Sequence, residues 1–580
     1  MKTGFKYLLI KALKFGITFL GIFLVIISVF ICFAANDKIT PENLNSKNKL
    51  YLSLRYKVLT TLFRNNEPIY HRDYLPKFEF FLTKNDLNFI KKQTILIKTN
   101  LDKYRKTNKW RQGILKFNGD FYSISWKIHG KSPTNQISLP IPSINIKLNR
   151  KELIYNSNKF SLIIYNRLCR DVNSIEYVAN CFNLPVRKHP LVNVRINNGN
   201  NELFYFEPRY DSHFMKNYNH QNLIRLKSTI EDKSYISDGY ISKSIRTKNI
   251  IKKLNKTNFS KNVKIQIIKS YNNLNNCITS FNSDSISKFF DNENLTNFMA
   301  ARLISGCNSH GLYRSNFYLF FDTLSNKFYT CFNRDEKTSI LKNDSIEFHM
   351  HKFIVNDIQT LPPFKPYFTT TVLMNDTLRQ IHYKKAYKFI SKNEYNFHYD
   401  LQKEYNKREK MHFPEWIKSC DGLTHLIAKP YFDTNATILK NYLSKSEPII
   451  NIKTTDSKIS LDIKPQSNAA LRFKSFTIKN TSNVKFECGS INLKITSYST
   501  DEPKKVSSLN AKVNLNNGEL NISNEMSKYF HCDGLDNNLL PFKRTYIYKI
   551  QLDTNFILNS SNIKIDYELV NIVTNQIVKL

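Results

Sequence analysis

Apolar and polar residues alternate on both sides of Asn118–Gly119–Asp120 in GILKFNGDFYSISWKIHGKS (113–132). Asn-Gly between two alternating runs predicts a hairpin, because a two-residue turn needs left-handed backbone that Asn and Gly adopt at low cost. The same period of two predicts a strand in SINIKLN (143–149). It predicts a second hairpin in PLVNVRINNGNNELFYFEP (190–208), turning at Asn197 to Asn201, and a third in SNFYLFFDTLSNKFYTCFN (315–333), turning near Ser325–Asn326. LPKFEFFLTKNDLNFIKKQ (75–93) reads as a strand followed by a helix. Helical spacing runs from Leu162 to Phe182, ahead of Pro185, and recurs over most of 245–305 and 370–445. From Glu447 onward helical patterns nearly vanish. Short alternating strands such as FKSFTIKN, SINLKITSY and YIYKIQLD follow one another between Asn, Ser and Asp turns. That texture predicts a β-sandwich, immunoglobulin-like, over 446–580. The fold class expected is α+β, and no internal repeat is evident.

One stretch has no polar period at all. Residues 15–35, FGITFLGIFLVIISVFICFAA, carry no charge. As a helix they span about 30 Å, the thickness of a bilayer core. Lys2, Lys6, Lys11 and Lys14 precede them, which predicts a short cytoplasmic N-terminus (1–14), a transmembrane anchor (15–35) and export of the remainder. A cleaved leader is the rival reading. Cys32–Phe33–Ala34 is a poor small-x-small site, so an uncleaved anchor is favoured. Residues 36–75 then form a polar stem. The expected location is a single-pass membrane protein with its bulk outside the cytoplasm.

Composition narrows the chemistry. Only 14 of 580 residues are Gly, which disfavours folds built on repeated Gly-rich phosphate loops. The 86 Lys and Arg exceed the 47 Asp and Glu by 39, an excess that attracts polyanions. The charge is spread along the chain without a basic block, so no nucleic-acid partner is expected. An acidic polysaccharide or an envelope protein substrate fits an exported chain better. Of nine Cys, eight lie beyond the apolar run, a number that permits disulfides. Cys169 and Cys181, if carried on one helix, would be about 18 Å apart, too far to bridge. No CxxC occurs.

In order along the chain, four stretches together resemble the CotH family of atypical, secreted or spore-coat protein kinases. The first is the strand–helix of 76–93 followed by ILKFNGDFYSISWKIHGKS, which is similar to the family's opening hairpin and its "G-x-S" turn, here Gly130–Lys131–Ser132. The second, NIKLN, looks like the family's strand with a Lys, here Lys147. The third joins helix 162–182 to NLPVRKHPLVNVRINNGNNELFYFE, ending at Glu207, and continues to NLIRLK, ending at Lys227. The fourth is HGLYRSNFYLFFDTLSNKFYTCFNRDE. The resemblance covers roughly 76–445 and implies a kinase-like mixed α/β domain binding ATP and Mg²⁺. It departs from the pattern at Phe332–Asn333, where the family has Trp-Asp, and Cys307 to Ser315 contains no acid.

Phosphoryl transfer needs cations at the phosphates, a carboxylate for the metal and a group orienting the incoming hydroxyl. On the resemblance, Lys147 or Lys227 would meet the phosphates, and Glu207 would pair with such a Lys. Asp335, with Asn316 or Asn333, would hold Mg²⁺, and His310 would accept a proton. Each has a plainer reading: a solvated Lys, a strand-end Glu facing water, a charged loop around Asp335, a structural His310. Other signals fail. Gly130–Lys131–Ser132 lacks the Gly a phosphate loop needs at 125, which is Ser125, and His349–Met350–His351 has no evident third ligand.

Overall fold

The computed structural model describes residues 75–129, 142–149, 152–164, 172–199, 201–209, 223–227, 259–305, 318–332, 367–392, 425–444 and most of 448–578, with short breaks. The chain is mixed α/β. The expected anchor, 15–35, and the stem before residue 75 lie outside the described residues. Among the described residues no helix is long and apolar enough to cross a membrane.

β1 (Lys77–Phe81) leads into α1 (Lys84–Thr99) and α2 (Leu101–Thr107). Thr83 caps α1 and Asp86 answers it reciprocally, so two orphan amides of the first turn are satisfied. β2 (Arg111–Phe117) and β3 (Asp120–Ile128) form the first predicted hairpin. Its turn residues Asn118 and Gly119 both have positive φ, at 50° and 95°, as that turn requires. At Gly113 a Cβ would lie 3.0 Å from the Trp126 ring, so a larger residue would press on the indole there.

β4 (Ile144–Leu148) and β5 (Lys159–Ile164) continue the sheet, followed by α3 (Val172–Cys181), β6 (Leu191–Ile196) and β7 (Glu202–Pro208). Here the sequence reading is corrected. Leu162 to Ile164 are strand, and the described helix begins only at Val172. Leu162–Ile163–Ile164 fits a helical stripe and a buried strand equally well. The two neighbours β4 and β7, which supply backbone partners on both edges, decide for strand. The separation between Cys169 and Cys181 drawn from one continuous helix therefore no longer follows, and Cys169 lies outside the described residues.

The seven strands close into a barrel in the order β1-β2-β3-β4-β5-β7-β6, sealed by a parallel pairing of β1 with β6. Alternation sends Phe78, Phe160, Phe206 and Trp126 inward to one buried cluster. The intervening residues form the outer face.

β8 (Leu223–Lys227), β9 (Tyr318–Asp322) and β10 (Lys327–Thr330) make a three-stranded sheet. It packs with α4 (Lys261–Thr279), α5 (Ser283–Phe289), α6 (Asn292–Ile304), α7 (Tyr367–Met374), α8 (Asp376–Lys392) and α9 (His425–Ser444) around a second core. Asn294 of α6 accepts from the Thr330 amide at 2.7 Å and locks β10 to the helices. Beyond β10, Phe332 bridges Val186, its amide donating to Pro185 at 2.9 Å, which joins this region to the barrel.

The C-terminal strands are β11 (Ile449–Thr455), β12 (Lys458–Lys464), β13 (Leu471–Asn480), β14 (Ser490–Ser499), β15 (Ser507–Asn516), β16 (Glu519–Asn521), β17 (Asp533–Leu535), β18 (Pro541–Lys543), β19 (Tyr546–Leu552), β20 (Ile563–Asn571) and β21 (Ile577–Val578). Nine of them form one sheet ordered β11-β12-β19-β14-β15-β16-β13-β20-β21, and residues from both halves meet in a third core. This region is tied to the helices rather than hung from them. The Asn571 amide donates to the Leu443 carbonyl at 2.7 Å, and Gln380 accepts from the Ala470 amide at 2.9 Å. Ala469 and Val573 belong to the helical core.

Candidate functional site

The outer face of the barrel is organised by register. Across β3, β4, β5 and β7 the residues Lys127, Asn145, Ser161 and Glu207 lie opposite one another in one row. The row is largely buried and hydrogen-bonded. The Ser161 hydroxyl donates to Asn145 Oδ1 at 2.8 Å, and His129 Nδ1 lies 2.9 Å from the same oxygen.

At its β7 end the row meets a buried charged cluster. Glu207 pairs with Arg187 at 3.2 Å, with both side chains under a tenth exposed. Glu176 of α3 receives the His189 amide at 3.0 Å and lies 2.7 Å from His189 Nδ1. A carboxylate only accepts, so Nδ1 is the donor in that contact. His189 Nε2 then faces Glu207 Oε1 at 3.6 Å. Pro190, a residue that cannot extend a ladder through its nitrogen, separates this charged link from β6.

One step along the strands is a second row. Ser125 lies opposite Lys147, Lys147 opposite Lys159, and the Arg209 amide donates to the Lys159 carbonyl at 3.2 Å. With strands about 4.8 Å apart, three cations on one face fall within roughly 10 Å of one another. Among the described residues none of the three makes an ion pair. Like charges directly opposite on a sheet are destabilising, and among the described residues no acid pairs with this row.

The expected site residues divide accordingly. Lys147 and Glu207 are brought onto the same outer face, Lys147 exposed and Glu207 buried. Among the described residues the cation paired with Glu207 is Arg187, held in the buried link, while Lys147 joins the other row. The plain reading of Glu207 as a strand-end acid facing water is overturned by its burial. The backbone of Lys227 ends β8 opposite Tyr318. His310, Asn316, Asn333 and Asp335 lie outside the described residues, as do Gly130–Lys131–Ser132 and His349–Met350–His351. Phe332, the residue before Asn333, is bridged to Val186, the residue before Arg187. Among the described residues no group of three or more His, Cys, Asp or Glu is arranged to hold a metal ion.

Neither a family model nor a curated protein matches this chain.

Sequence reasoning missed Arg187, His189, Glu176, Lys159 and Arg209. One signal was present: VRKHP puts three ionisable side chains between apolar residues just before a buried strand. Charges in such a place are either paired or functional. Lys159 and Arg209 had no signal, because their proximity depends on β5 pairing with β7 across the intervening α3 and β6.

Proposed function

We propose that this chain is a membrane-anchored, CotH-like protein acting outside the cytoplasm as an ATP- and Mg²⁺-dependent phosphotransferase. In this reading 15–35 is the anchor, 76–445 is a kinase-like domain, and 446–580 is an immunoglobulin-like sandwich that engages a partner. The observation that carries it is the row Lys147–Lys159–Arg209, set one register step from buried Glu207. Adjacent cations without acids fit the donor chemistry of a polyphosphate, whose several anionic oxygens would relieve the repulsion among them. The Arg187–Glu207 pair fixes the wall beside that row. Lys227 supplies a further cation, Asp335 with Asn316 or Asn333 supplies the oxygen ligands suited to Mg²⁺, and His310 accepts the proton of the incoming hydroxyl.

Thermal unfolding of the full chain in detergent tests this. ATP with Mg²⁺ raises the melting temperature, ATP with chelator does so less, and Asp335→Ala removes the Mg²⁺-dependent part. Absence of any nucleotide-dependent rise in the parent chain overturns the reading.

A second reading is a non-catalytic anchored protein that binds acidic polysaccharide. It is favoured by the lack of any acid between Cys307 and Ser315, where the family's pattern has one, and the same cation row serves it.

A further inference from the structure

At its β2–β3 end the outer face of the barrel carries a second feature, which the register connects to Glu207 through Lys127, Asn145 and Ser161. At one end the ammonium of Lys127 sits 4.9 Å from the centre of the Trp110 ring. At the other, that of Lys116 sits 5.5 Å from the centre of the Phe121 ring. Lys116 and Phe121 are direct register partners, and Trp110 precedes Arg111, which is partnered by Trp126, the residue before Lys127. Residues 110 and 116 are an even number of positions apart, so both ring–ammonium pairs share one face. Six residues of strand separate them by about 20 Å. The rings are open to solvent, Trp110 being 41% and Phe121 65% exposed.

Between the pairs, beside the exposed side chain of Ile114, lies a lattice of amides and hydroxyls. The Asn149 amide donates to Gln112 at 3.0 Å, and Ser125 donates to Asn149 Oδ1 at 2.8 Å. These bonds hold the polar groups in place before any ligand arrives, which lowers the ordering cost of binding.

We propose that this strip is the binding platform for an anionic polysaccharide, each terminal ring stacking on the apolar face of a sugar while its lysine meets that sugar's carboxylate. Charge complementarity selects an acidic polymer, because an ammonium stands beside each ring. The hydroxyl-bonding middle selects sugars over single-stranded nucleic acid. Nucleic acid needs successive stacking platforms along a cationic groove, whereas here the rings stand apart at the two ends. The proposal rests on the binding reading above and is independent of phosphotransfer.

Affinity electrophoresis of the full chain in detergent, through gels holding polygalacturonate, dextran or oligothymidylate, tests it. Polygalacturonate retards the parent and dextran does not. The double variant W110A/F121A, which removes only exposed rings, weakens retardation at least tenfold, and K116Q/K127Q does the same. Retardation unchanged in both variants but lost in K147Q/K159Q overturns the strip while leaving the binding reading standing. Failure of polygalacturonate to retard the parent overturns both. Oligothymidylate binding as tightly through the same rings replaces the polysaccharide with nucleic acid and overturns the proposal.

Discussion

Lysines face each other across a strand pair in both β regions of this molecule, with opposite outcomes. In the C-terminal sheet Lys479 lies opposite Lys564. Lys479 reaches Glu519 at 2.9 Å and Asp566 at 3.4 Å, and Lys564 reaches Asp566 at 3.4 Å. Desolvation raises the Asp566 carboxyl, but hydrogen bonds from Lys479 and Lys564 outweigh it and hold the pKa below the ordinary value. On the barrel Lys147 lies opposite Lys159 with Arg209 beyond, and no described acid stands among them. The same repulsive pair is thus balanced where the sheet is structural and left unbalanced beside the buried cluster. Balance within the chain removes the attraction for outside anions, which is why the proposed anion site lies on the barrel and not on the C-terminal sheet.

The largest expected effect comes from the cluster that borders the unbalanced row. Glu207→Ala leaves Arg187 buried without its carboxylate. It should lower stability by about 3–5 kcal/mol, read as a drop in the urea midpoint. A loss below about 1 kcal/mol would place Glu207 among the ordinary surface acids and dissolve the contrast.

Asp86 shows that the barrel does balance a cation where structure needs it. Its carboxylate closes the cap of α1 and meets Arg111 at 2.7 Å. Burial pushes the Asp86 carboxyl up, while hydrogen bonds from Thr83 and Arg111 pull it further down, to a net pKa below the ordinary carboxylate value. A carboxyl lowered in the folded state contributes stability that is complete above its unfolded pKa and lost as pH falls through the folded one. Asp86→Ala should therefore cost about 1–2 kcal/mol at neutral pH and little in strong acid, measured as urea midpoints across that range.

Lys159→Gln sharpens the comparison most directly. Removing one member of the row should raise the stability of the unliganded chain by about 0.2–1 kcal/mol while reducing the thermal shift given by ATP. A variant less stable without ligand would show that the row is already balanced. Smallest is Asp566→Asn in the C-terminal sheet. It should lower the thermal midpoint slightly at low salt, and the difference should vanish at high ionic strength or once acid has protonated the parent carboxyl.

Local features were legible in the sequence and the closure of the barrel was not. Asn118–Gly119 announced its hairpin because the turn's backbone requirement is written in two adjacent residues. The parallel pairing of β1 with β6 joins residues more than a hundred positions apart, and no local pattern encodes it. The run Leu162–Ile163–Ile164 was misread because a fully buried strand and a helical stripe share the same apolar residues. At the site Lys147 and Glu207 could be singled out, but the row Lys147–Lys159–Arg209 exists only after β5 and β7 pair. The pairing of Arg187 with Glu207 is tertiary, and VRKHP gave the charges without naming their partner.

The hydrogen bond from Asn571 to Leu443, and the burial of Ala469 and Val573 among the helices, bear on how the protein is made. During translation the helices would emerge with part of their apolar surface uncovered and wait for residue 573 before it is sealed. Such an interval favours chaperone engagement, and expression truncated near residue 445 should yield aggregates rather than an independent amino-terminal unit.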